Sequence, residues 1–148
     1  MHIGTALMPL VLAGCTFPAA FVYDGQDKAT LVGGTEQTWP VRIVEVNGAV
    51  FSHHRIAAPD LVTVAPGRVV VKLVTWRMPG PTFGHLCALV DVSPGDRVEF
   101  VSESGRNAFQ VTMYRVWEGK RMLVGTELVP YRGQEKSEPC DPRLQNNK

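Results

Sequence analysis

Eight short runs of β-branched and aromatic residues, each closed by Gly, Pro, Asn or Asp, limit what this chain can fold into. They are ATLVG (29–33), VRIVEV (41–46), LVTV (61–64), RVVVKLVTW (68–76), LCALVDV (86–92), RVEFVS (97–102), FQVTMYRVW (109–117) and RMLVGTEL (121–128). Such residues suit a pleated, half-buried surface, and the residues between them suit turns. No stretch carries the 3.6-residue apolar repeat of an amphipathic helix. The expected fold is all-β: a single antiparallel β-sandwich of about seven to eight short strands. A chain of 148 residues is long enough to bury one such core.

The punctuation has its own mechanics. Asn47-Gly48 lies between apolar runs, and both residues tolerate positive φ, which a type I′ hairpin needs. SGRN (104–107) and WEGKR (117–121) also read as hairpin ends. VTVAPGRVVVKLV (62–74) and VDVSPGDRVEFVS (90–102) repeat one pattern, a strand followed by Pro-Gly and another strand. Pro followed by Gly suits a type II turn, so each copy reads as a hairpin with a Pro-Gly corner. In FQVTMYRVW, Phe109, Val111, Met113, Arg115 and Trp117 share the face expected to meet the core.

Residues 1–14 stand apart. IGTALMPLVLAG is short, apolar and rich in small residues, as in the apolar region and cleavage zone of a secretory signal. The segment LAGC, Leu12 to Cys15, resembles the lipobox of bacterial lipoproteins. That resemblance implies cleavage before Cys15, a diacylglycerol on its thiol and acylation of its new amine. Thr16, rather than Asp, is similar to the sorting signal for an outer membrane facing the periplasm. The alternative is an N-terminal strand with an incidental cysteine. The organisation expected is a signal peptide at 1–14, a lipidated Cys15 and tether over 15–28, the sandwich over 29–130 and a polar tail over 131–148. The membrane is then a partner through the lipid, and an envelope protein is the other expected partner.

VRIVEVNGAVF (41–51) followed by VTVAPGRVVVKL (62–73) resembles the PEGA-type β-sandwich modules of bacterial envelope lipoproteins. Gly48, Pro66 and Gly67 match that pattern as turn positions only. The resemblance implies an accessory, binding or scaffolding role without a shared catalytic site.

An oxidising compartment makes Cys87 and Cys140 candidates for a disulfide, closing a loop of about fifty residues; the alternative is two unrelated thiols. Trp76, Arg77, Met78 and Phe83 lie on a Pro/Gly-rich connection of the kind that carries protein–protein contacts, or else Trp76 and Phe83 cap the core. His54, His85 and Cys87 form the one candidate metal trio, which gives the alternative of a small-ligand or metal-binding periplasmic domain. A hydrolase is a further alternative, but no serine sits in a G-x-S-x-G or S-x-x-K motif. No catalytic residue, resident metal or cofactor is assigned. A net charge of +1 without like-charge blocks gives no nucleic-acid footprint.

Overall fold

The computed structural model describes residues 20–21, 23–34, 41–52, 55, 58–77, 82–136 and 138–141. Its ten strands are β1 (Ala20–Phe21), β2 (Ala29–Val32), β3 (Val41–Val46), β4 (Ala49–Val50), β5 (Leu61–Val64), β6 (Gly67–Arg77), β7 (Thr82–Val92), β8 (Arg97–Ser104), β9 (Ala108–Trp117) and β10 (Lys120–Pro130). They form one sheet of order β1-β5-β2-β8-β9-β10 and a second of order β4-β3-β6-β7. Among the described residues there is no helix, and the fold is an all-β sandwich. Each of the eight sequence runs becomes a strand. The two additional strands, β1 and β4, have two residues each, too few to carry a pattern. Two pairings, β1 with β5 and β2 with β8, are parallel rather than antiparallel.

Alternation along each strand places the core. Val41, Ile43, Val71, Leu73, Val90 and Val92 of the smaller sheet meet Leu31, Val62, Val98, Phe100, Phe109 and Val111 of the larger. The layer includes one buried polar pair, the Thr75 and Ser102 hydroxyls 2.6 Å apart, each satisfying the other across the sandwich. Gly84 is required where it stands, because a Cβ there would lie 2.7 Å from a Phe109 ring carbon and 2.9 Å from a Val129 methyl.

The turns divide into two kinds. Asn47-Gly48 and Glu118-Gly119 all take positive φ, closing the β3–β4 and β9–β10 hairpins. The two Pro-Gly segments instead carry the chain from one sheet to the other. β5 pairs with β1 and β2 while β6 pairs with β3 and β7, so Pro66-Gly67 is a crossing corner. Ser93 to Asp96 does the same between β7 and β8, with the Asp96 amide donating to the Ser93 carbonyl. A Pro-Gly turn reverses the chain equally well whether or not its flanking strands pair, so the motif alone leaves the two cases undivided.

Both ends of the sandwich differ from the expected boundaries. Ala20 and Phe21 pair with Val62 and Thr63, and the Tyr23 amide donates to the Thr63 carbonyl, so part of the segment read as a tether belongs to the sheet. Cys15 lies outside the described residues. The stretch 131–141, expected as a loose tail, packs over the outer face of the smaller sheet. Arg132 bridges to Phe83, the Gln134 carbonyl accepts from His85 Nε2 at 2.7 Å, and Cys140 is disulfide-bonded to Cys87. With a sequence separation of 53, the bridge removes loop entropy worth about 4 kcal/mol in the unfolded chain. Cys140→Ser should therefore lower unfolding stability by about 2–4 kcal/mol and make 134–141 protease-sensitive while the sandwich keeps its strand signal. Denaturant titration with limited proteolysis checks this; identical curves and digests would contradict it.

Candidate interaction surface

Two of the residues expected on a contact loop, Trp76 and Phe83, join a second, smaller core instead. Trp76 and Phe83 face each other across the β6–β7 ladder on the outer side of the smaller sheet. Phe83 is only 5% exposed and packs with Val44, Ala58 and Val74, with Trp76 against them. The Arg55 guanidinium lies 5.4 Å from the Trp76 ring and 5.2 Å from the Phe83 ring, and pairs with Glu135 at 3.1 Å. Arg77 sits 4.9 Å from the Tyr131 ring. Met78 lies outside the described residues. The structure therefore does not bring Trp76, Arg77 and Phe83 onto one exposed loop; the C-terminal stretch and Arg55 cover that face.

The same stretch alters the candidate metal trio. Cys87 is in a disulfide and has no thiolate to offer, His85 is bonded to the Gln134 carbonyl, and His54 lies outside the described residues. Beneath the stretch is a hollow of about 720 Å³ lined by Lys72, His85, Arg132, Gln134, Lys136 and Glu138. Lys72 is largely buried and held 3.4 Å from Glu45. Remote from it, Tyr23 has its phenol held above its ordinary pKa because it donates to the Asp27 carboxylate.

The larger sheet offers a different surface. Its last hairpin, β9–β10, ends at the Glu118-Gly119 turn and carries large apolar side chains in the open. Trp117 is 61% exposed, Met122 50%, Leu123 67%, Val124 48% and Leu128 73%. Phe109 and Val111 lie in the core as their face predicts, but Trp117, on the same face, runs past its end. Arg115 marks the limit: its Nη2 donates to the Asp91 carbonyl at 2.7 Å and its Nε lies 3.3 Å from Asp96, sealing the sandwich there. On the other face Arg121 pairs with Glu99 at 3.2 Å and lies 5.3 Å from the Tyr114 ring. β10 ends the sheet, so one row of its backbone groups has no strand beside it. A cleft of about 300 Å³ lies between β7 and β10, lined by Leu86, Leu89, Phe100, Val111, Met113 and Gly125 among others.

No protein-family model, curated protein or solved structure matches this chain. The surface must therefore be read from its own chemistry. Apolar side chains beside an unpaired strand edge are what a partner needs for strand addition, with backbone bonds for affinity and side chains for selection. Sequence reasoning missed this site because RMLVGTEL has the composition of an ordinary buried strand. Its one trace is Arg121 and Glu127 interleaved with the apolar residues. The double substitution Leu123→Lys, Leu128→Lys should leave stability within about 0.5 kcal/mol of the parent, because both side chains are already in water. The same variant should bind less of a hydrophobic dye; a large loss of stability would show that these side chains pack in the folded state.

Proposed function

We propose that this chain is a lipid-anchored envelope protein that acts by contact rather than catalysis, using the β9–β10 arm as its contact surface. One observation carries the reading: five large apolar side chains stand about half exposed or more on one hairpin at the end of a sheet. Trp117 and Met122 lie on the core-side face of this hairpin and Leu123 and Leu128 on the other, so apolar side chains flank its free edge on both sides, as at an interaction site. What the arm presents, apolar surface and backbone edge groups, binds a partner and transfers no proton. The location is supported by LAGC ahead of Thr16 and by the Cys87–Cys140 disulfide, which suits an oxidising compartment. The resemblance of about residues 41–76 to PEGA-type envelope modules agrees with a non-catalytic role.

Two measurements test the two halves of this reading. Intact mass of the membrane-fraction protein should give a lipidated chain beginning at Cys15, and Cys15→Ser should remain full length. An unmodified chain beginning at Met1 would remove the anchor. A photo-crosslinking residue at position 123 should give a discrete protein adduct in membranes, whereas one at position 68, on the smaller sheet, should not. Equal labelling from both positions would remove the arm as the contact surface.

A further inference from the structure

We infer that the arm's partner is a second copy of this chain, its β10 paired antiparallel with this β10 about a twofold axis between Leu123 and Val124. The inference rests on the arm being a contact surface and names what it contacts.

The β9–β10 register shifts between Leu123 and Gly125, so the face presented by each residue changes parity there. Before the bulge, Lys120 and Met122 lie on the face shared with Phe109 and Val111, through their partners Trp117 and Arg115. After it, Gly125 and Glu127 lie on that same face, opposite Met113 and Val111. Arg121 and Leu123 share the opposite face with Thr126 and Leu128. Directly opposed residues in an antiparallel pair must project to the same side. The bulge therefore allows twofold registers that set residues before it against residues after it, and one of these places Lys120 opposite Glu127, Arg121 opposite Thr126 and Met122 opposite Gly125, with Leu123 and the bulged Val124 at the axis.

That register is complementary in charge and in shape. Lys120 meets the other copy's Glu127, and the symmetry forms the pair twice. Among the described residues neither Lys120 nor Glu127 has an ion-pair partner within one chain. Met122 meets Gly125, where a Cβ would find no atom within 4 Å, so there is room for the methionine side chain. Leu123 and Val124 of both copies, 67% and 48% exposed in one, converge at the axis. A parallel pairing in register would instead set Lys120 against Lys120. Charged residues and bulges commonly keep strand edges single, but here the lysine has its counter-charge on the same strand, and the positions between them are apolar.

The test is sedimentation of the full-length oxidised chain in mild detergent, over a concentration series, with charge-swapped variants. The expected result is a dimer. Lys120→Glu and Glu127→Lys should each weaken it by about tenfold, since two attractive pairs become repulsive. Combining the two substitutions in one chain should restore parental dimerisation, which also shows that the variants fold. A monomer at every concentration overturns the inference, as does a dimer indifferent to both swaps. If the chain is monomeric and position 123 crosslinks to a different protein, this inference fails while the contact reading stands. If position 123 yields no adduct of any kind, both fail.

Discussion

The inner faces of the two sheets bury each other, and where that shared layer stops determines what every other part of the chain does. At one end Tyr131 stacks edge-on against Phe109, with ring centres 4.7 Å apart, and donates from its hydroxyl to the Gly105 carbonyl. From there Arg132 crosses to Phe83 and starts the C-terminal stretch over the smaller sheet. At the other end Arg115 spans the gap between the layers and closes it with Asp91 and Asp96. β9 and β10 are longer than the layer they cover, and their surplus is the exposed hairpin. Both the covering strap and the arm are thus consequences of strands of ten and eleven residues closing over a shorter core.

The two sheets consequently live in different environments. β6 is buried without a break from Val69 to Thr75, because one face meets the core and the other lies beneath the strap and the Arg55 loop. That is why RVVVKLVTW reads as a continuous apolar run rather than an alternation. The one charge within the buried stretch, Lys72, is desolvated on the covered face and sits beside Glu45, an arrangement that holds as long as both partners remain. The disulfide holds the cover at its far end. Among the described residues no comparable cover lies over β10 on the larger sheet, so the surface left for other molecules is there.

Most of the fold was legible because strand residues and turn residues are local signals. Val, Ile and Thr mark the ladders, and Asn47-Gly48 marks a hairpin by its backbone tolerance alone. What could not be read locally was which strands share a sheet. Pro66-Gly67 has the same chemistry as a hairpin corner, and only the pairing of β5 with β2 and of β6 with β3 makes it a crossing. The contact surface was hidden for a related reason. Leu123 and Leu128 differ from Leu31 and Leu73 in what lies above them, and that is decided by residues distant in the chain. Trp76 and Phe83 show the converse, since their aromatic character suggested a contact while the strap made them a core.

Symmetry places a further condition on an anchored dimer. An antiparallel β10 pair joins two six-stranded sheets into one, with the twofold axis perpendicular to it and the two β1 strands at its outer edges. Twelve strands at about 4.8 Å spacing put those edges about 53 Å apart, and the axis reverses the strand direction between copies. If Cys15 carries the proposed lipid, the two anchors of such a dimer would reach one bilayer only with the axis normal to it, which would lay the joined sheet parallel to the membrane. Ala20 is five positions after Cys15, a span of at most about 18 Å, so a lipid on Cys15 would hold that edge of the sheet close to the membrane. The strap and the disulfide lie on the smaller sheet, on the side away from the bare face of the larger.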